Sequence, residues 1–194
     1  MEELAQIIRP SIALSAWTTL ALSGLLLIIS GFMSSSEVAF FSLSPSDIDE
    51  IKEEEHPADS ALLELLKDSE RLLATILIGN NLVNVAIVIL TGYAFSQIFD
   101  FGTSPLLGFL VQTVILTLLL LLFGEIIPKV YAQARPLAFS RFSAGKMRLI
   151  SRALRPFATL LIRSTSLVTS RMQPKKYDLS VDELSQAVDL LEGH

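Results

Sequence analysis

Three stretches of this chain, residues 10–36, 72–99 and 101–124, carry no Asp, Glu, Lys or Arg. Each exceeds the roughly 20 apolar residues needed to cross a hydrocarbon core. No water reaches the backbone there, so a segment of this kind folds as a helix that satisfies its own N–H and C=O groups. The chain is therefore expected to be an all-α membrane protein with three transmembrane helices. A mean hydropathy of +0.55 and a hydrophobic share of 51 % over 194 residues agree with that class. Cysteine is absent, and His56 and His194 lie in polar segments. Disulfides, thiolate metal sites, zinc, haem and histidine-based hydrolysis are disfavoured, and no enzymatic activity is expected.

The charges are unevenly distributed. Residues 47–70 hold ten acids against two lysines, whereas eleven of the fifteen Lys and Arg residues follow Pro128. The connection between the second and third windows is too short for anything but antiparallel neighbours, and it holds no basic residue. Lys52, Lys67 and Arg71 lie between the first two windows, so the positive-inside rule predicts an outer N-terminus and a cytoplasmic C-terminus. Arg9 is a mild counter-signal. No basic n-region or cleavage site precedes the first window, which reads as a retained span.

Residues 1–134 form the expected three-helix membrane domain. It includes a cytosolic helical hairpin at about 44–70, opened by Ser44, Pro45 and Asp47 as N-cap, N1 and N3 and interrupted at Pro57. Its acids are read as a solvated face. Residues 135–172 alternate cations with Leu, Phe, Ile and Met. Arg141, Arg148, Arg152, Arg155 and Arg163 share a helical face, as in an amphipathic juxtamembrane belt resting on the anionic lipids of the inner leaflet, bent where Pro136 and Pro156 divide it. Residues 173–194 read as a linker and a short helix, opened by Ser180 to Glu183 in capping-box form, where a further cytosolic module would begin. No nucleic-acid partner is expected.

Three polar clusters break the apolar windows. Ser23, Ser30, Ser34 and Glu37, spaced 7, 4 and 3, share one face of the first helix, and Glu37 needs a partner. Asn80, Asn81 and Asn84 crowd one turn of the second. In the third, Gly124-Glu125-Ile126-Ile127-Pro128-Lys129 sets a carboxylate before a proline that denies an N–H to the Gly124 carbonyl four residues back. A plainer alternative ends the helix at Pro128 and pairs Glu125 with Lys129. Hydroxyls, amide carbonyls, a free backbone carbonyl and a carboxylate compose an all-oxygen site, which suits Mg2+, Na+ or Ca2+ over softer metals. A second alternative is a hydrogen-bonded network that only fastens the helices.

The motifs Ser30 to Glu37, Ile78 to Asn84 and Gly124 to Lys129, in that order and spacing, resemble the transmembrane domain of the CNNM/CorC family. The likeness runs from about Ile12 into the arginine-rich belt. It implies a homodimer in the bacterial inner membrane that transports Mg2+, with Na+-coupled export. It also implies that Ser30, Ser34, Asn80, Asn81, Asn84, Gly124 and Glu125 hold the ion. Family members continue into paired CBS nucleotide-binding modules, which these residues do not include. The competing reading of the whole is a membrane anchor or scaffold for a cytosolic regulatory domain.

Overall fold

The computed structural model describes residues 14–53, 56–99 and 104–172, with side chains to residue 165. The expected final helix at 180–193 and the turn at 100–103 lie outside the described residues. Eight α-helices and one π-helical segment make up the described chain. They are α1 (Leu14–Phe41), α2 (Pro45–Glu53), α3 (Asp59–Lys67), α4 (Ser69–Ile98), α5 (Pro105–Leu119), the π segment (Leu120–Ile126), α6 (Ile127–Ala134), α7 (Pro136–Ala153) and α8 (Arg155–Met172). Three continuous helical rods, Leu14–Phe41, Ser69–Ile98 and Pro105–Ala134, are long and apolar enough to span a bilayer. The expected fold class holds: this is an all-α membrane protein with three spanning helices.

The spans bury little within the chain. Ile28, Leu106 and Phe109 are each more than three-fifths exposed, a surface that suits lipid and not water. What they do bury is polar or small: α1 turns Ser23, Ser30, Gly31, Ser34, Ser35 and Ser36 inward. With lipid outside, apolar side chains gain nothing by facing one another, so close packing of small residues and hydrogen bonding select the inner face. α1 packs along α4 and also meets the π segment, α6 and α7. Near the start of α1 the Ser15 hydroxyl donates to Gln97 at the far end of α4 (2.8 Å), so the two run antiparallel over their full length.

At the other end of the spans the chain builds a conventional apolar core. Met33 and Phe40 of α1, Ile51 of α2, Leu62 and Leu65 of α3, Leu72 and Ile76 of α4, and Ala144 and Met147 of α7 close into one cluster. The α2–α3 hairpin begins as the capping pattern predicts. The Asp47 backbone N–H donates to Ser44 Oγ (3.2 Å), and the Asp47 carboxylate accepts from the Ser44 hydroxyl (2.7 Å) and N–H (2.8 Å). Those two bonds, the hydroxyl's first, hold the Asp47 carboxyl below the usual carboxylate range.

Two expectations change here. The acids of the hairpin are not all solvated, and α7 does not simply lie along a leaflet. Arg141 on α7 grips the buried Asp59 through Nε and Nη2 (2.9 and 3.1 Å) while Nη1 donates to Glu50 (2.9 Å). Arg148 reaches Glu64 at 3.5 Å. The acidic hairpin and the basic belt, far apart in sequence, neutralise each other across one packed interface. The bend in the belt falls at Leu154, with Pro136 and Pro156 in the first turns of α7 and α8.

Arg141→Ala strands the Asp59 charge, which is 4 % exposed, and is expected to destabilise the fold by about 3 kcal/mol. Arg141→Met with Asp59→Leu recovers most of that loss, a contrast that thermal unfolding of the purified variants measures. Asp47→Ala is expected to cost no more than about 1 kcal/mol at neutral pH. Because the folded Asp47 pKa lies below the unfolded value of about 3.9, its contribution is complete above that value and lost as pH falls through the folded pKa. The stability gap between parent and variant should therefore narrow as pH falls below the unfolded value, as read by acid titration of the unfolding midpoint.

Candidate functional site

Ser30 lies eleven residues before the end of α1, Asn80 eleven after the start of α4, and Gly124 ten before the end of α6. At 1.5 Å per residue all three sit roughly 15 Å from the hairpin-side helix ends, deep in the spans. They meet there. The Ser30 Oγ lies 2.7 Å from Asn84 Oδ1 and 3.1 Å from Asn80 Oδ1. A Cβ on Gly124 would stand 3.1 Å from that same hydroxyl, so only glycine lets the third span come so near. Ser34, one turn along α1, is fully buried and its Oγ has no hydrogen-bond partner.

The proton count is what gives this cluster chemical meaning. A serine hydroxyl offers one proton, yet two amide oxygens converge on it, and the Ser34 oxygen adds further unused lone pairs. Buried polar atoms ordinarily find partners. Here one hydroxyl proton faces two amide oxygens at once, so Ser30 can satisfy only one of them fully. Among the described residues no three His, Cys, Asp or Glu side chains gather as metal ligands, so the concentration of donors consists of neutral oxygens.

The third span is built differently from the sequence expectation. The chain neither ends its helix at Pro128 nor merely frees the Gly124 carbonyl: it widens into a π segment, Leu120–Ile126, and continues as α6. The Ile127 N–H donates five residues back, to the Leu122 carbonyl. In that register Pro128 denies its missing N–H to Phe123, five back, as well as to Gly124, four back. α1 covers the break. A Cβ on Gly31 would lie 3.2 Å from the Phe123 carbonyl oxygen and 3.0 Å from Pro128 Cγ. Beside it the Ser35 hydroxyl donates to the Pro128 carbonyl (2.9 Å).

Glu37 has the partner it requires. Lys129 Nζ stands 3.3 Å from its carboxylate, tying α1 to α6. The alternative pairing of Lys129 with Glu125 is therefore not formed, and Glu125 sits half-buried in the π segment with no ion-pair or hydrogen-bond partner among the described residues. Asn81 also stands apart: it is exposed, and its amide donates to the Leu77 carbonyl of its own helix (2.8 Å). Of the nominated residues the structure joins Ser30, Asn80 and Asn84 by hydrogen bonds, brings Gly124 against Ser30, buries Ser34 one turn along α1, and leaves Glu125 and Asn81 outside the hydrogen-bonded group. Gly31, Ser35 and the Glu37–Lys129 pair are what residue-type reasoning missed. The signal for them was Pro128, since a broken span demands a neighbour that can approach closely and donate. Ser23, by contrast, donates to Thr19 four residues back (2.9 Å), the ordinary behaviour of a serine in a spanning helix.

Residues 21–193 match the family model described as the cyclin M transmembrane N-terminal domain. The chain belongs to the CNNM family. It is 28 % identical to a UPF0053 protein of Haemophilus influenzae over 166 residues, 84 % of this chain and 38 % of the relative. It is 27 % identical to the UPF0053 inner membrane protein YfjD of Escherichia coli over 153 residues, 79 % of this chain and 34 % of that one. A chloroplastic DUF21 domain-containing protein of Arabidopsis thaliana is 36 % identical over 105 residues, 54 % of this chain and 15 % of the relative. The chain thus spans little more than a third of the length of the two bacterial relatives. The CNNM match covers all three spans, the hairpin and the belt.

Two glycines in α1 test the close approach at the break. Gly31→Ala presses a methyl group against backbone and a proline ring, neither of which can swing away, and is expected to cost roughly 1–3 kcal/mol. Gly24→Ala meets nothing within 4 Å and is expected to be neutral or to stabilise by up to about 1 kcal/mol through helix propensity. Unfolding temperatures of the two variants in one detergent check the contrast.

Proposed function

We propose that this CNNM domain moves Mg2+ across the bacterial inner membrane, exporting it by alternating access in exchange for Na+. In this reading it works as a homodimer with its N-terminus outside and its C-terminus in the cytoplasm. The observation that carries the proposal is the convergence of oxygen lone pairs, Asn80 Oδ1 and Asn84 Oδ1 on the one Ser30 hydroxyl, beside the unpartnered Ser34 hydroxyl. A hard cation accepts those lone pairs, and neutral hydroxyl and amide oxygens are ligands that Mg2+ and Na+ take. Neutral ligands alone would leave the ion's charge uncompensated in lipid. Glu125, partly exposed and without a partner among the described residues, supplies a negative charge on the π segment.

The π segment also supports the reading of a moving site. Irregular backbone at membrane depth is tolerated where it lines a site or cavity, and broken helices are the places where transporters bind their ions. The Gly124 carbonyl would join the ligand set. Mg2+ demands near-octahedral oxygen at about 2.0–2.1 Å and sheds its water reluctantly, so the ion exchanges part of its hydration shell for the serine and asparagine oxygens. Na+ would use the same polar face in the opposite phase of the cycle. The hairpin and belt are the cytosolic side in this scheme, and Arg148, Arg152, Arg155 and Arg163 meet anionic headgroups while Arg141 is held by Asp59 and Glu50.

Thermal unfolding of the detergent-solubilised chain, titrated with Mg2+, Ca2+, Mn2+ and Na+, is the direct test. Binding to the folded state at a hundredfold excess over Kd stabilises by about 2.7 kcal/mol, so the parent should show a clear Mg2+-dependent rise that Asn84→Ala and Glu125→Ala abolish. Parent protein reconstituted in liposomes should then show Mg2+ flux that depends on a Na+ gradient. A parent whose midpoint ignores every ion would instead favour the anchor reading, in which the serine and asparagine bonds only fasten the helices.

A further inference from the structure

A second concentration of charge lies well away from the oxygen cluster, on the hairpin side of the membrane. A pocket of about 320 Å3 opens between the end of α3, the first turn of α4 and the junction of α7 with α8. Arg71, Arg148, Arg152 and Arg155 line it, against only two carboxylates, Glu64 and Asp68. The wall therefore carries a formal excess of two positive charges. The carboxylates do not absorb it evenly. Asp68 is committed to Arg71, at 2.7 Å from Nε, and caps α4 by accepting the Arg71 backbone N–H. Glu64 is shared loosely, 3.5 Å from Arg148 and 3.9 Å from Arg152, and it is more than half exposed. Surface pairs of that kind contribute little and exchange readily. The Arg155 guanidinium has no ion-pair or hydrogen-bond partner among the described residues.

We propose that this pocket is a binding site for a phosphate group. Guanidinium presents a planar fork of N–H donors that matches phosphate oxygens two at a time, and several forks on one cavity distinguish phosphate from a diffuse anionic surface. The volume falls in the range of small-ligand sites, about 300–1,000 Å3. The arginines come from three elements, Arg71 from α4, Arg148 and Arg152 from α7 and Arg155 from α8 just past Leu154. Arg71 stands one residue before the apolar window that begins at Leu72, so the pocket lies at the depth of lipid headgroups. A phosphate there arrives on an anionic phospholipid or as a free ion. The geometry recognises the phosphate in either case, and depth favours the lipid. This site does not rest on the transport reading, because none of its residues touches the oxygen cluster.

The test is thermal unfolding of the full chain in a non-ionic detergent, titrated separately with dihexanoyl phosphatidic acid, dihexanoyl phosphatidylcholine and inorganic phosphate. The parent is expected to rise in midpoint with phosphatidic acid and not with the zwitterionic lipid. A lipid source leaves inorganic phosphate without effect, whereas an equal rise with inorganic phosphate identifies the free ion as the ligand. Arg152→Ala with Arg155→Ala is expected to raise the half-effective concentration of the active probe by about tenfold or more. Arg135→Ala, at the start of the same belt but outside the pocket, should leave it unchanged. Should the double variant fail to purify as a monodisperse protein, Arg155→Gln, at an exposed and unpaired side chain, carries the same comparison. No rise with any probe, or a rise that Arg135→Ala weakens as much as the pocket variants do, would overturn the proposal.

Discussion

A proline with no N–H to give, set at membrane depth, is the constraint around which the membrane domain is arranged. In water the carbonyls it strands would be solvated; in lipid they must be met by protein or by something the protein binds. The third span answers by widening into a π segment, which shifts the stranded carbonyls and lets the helix continue to Ala134. α1 answers by laying its smallest and most polar face over the break, with Gly31 against the Phe123 carbonyl and Ser35 bonded to the Pro128 carbonyl. The same approach brings Ser30 next to Gly124 and under the amides of α4. The oxygen cluster and the irregular helix are thus two results of one requirement.

A second constraint acts at the hairpin-side end, where ordinary hydrophobic burial resumes. Met33 and Phe40 leave the membrane on α1 and enter a core with Ile51, Leu62, Leu72 and Met147. That core anchors the inner ends of two spans to the hairpin and α7. The Arg141 fork on Asp59 and Glu50 fixes α7 in register, since displacing it would leave a buried carboxylate unpaired. The Lys129–Glu37 pair then links the core end of α1 to α6 just past the break.

Much of this was legible in the residues. Windows without charge located the spans to within a few residues, because crossing lipid imposes a length that packing cannot alter. Ser44, Pro45 and Asp47 announced α2, since a cap is a local hydrogen-bond pattern. The serine, asparagine and Gly-Glu-Ile-Ile-Pro-Lys motifs marked the helices that meet. Other features were not legible, and the reason is common to them. Whether the hairpin acids face solvent or Arg141 depends on where α7 lands, some eighty residues later. Whether Lys129 serves Glu125 or Glu37 depends on the helix just before Pro128 being π and not α, because the wider turn changes which side chains lie together. Asn81 and Asn84 are alike in type and three apart in sequence, and only the rotation of α4 against α1 turns one to Ser30 and the other away.

The amino-acid sequence by itself determined the all-helical class, the number of spans and the identity of the polar motifs, because hydrophobic length, backbone satisfaction and capping are properties of short segments. The tertiary structure alone decided which oxygens converge on one hydroxyl, which acids the arginines neutralise and where four guanidinium groups share a pocket. Those are properties of distance between residues fifty to ninety positions apart. In a medium of low dielectric such distances govern whether a charge or lone pair is satisfied or left to bind.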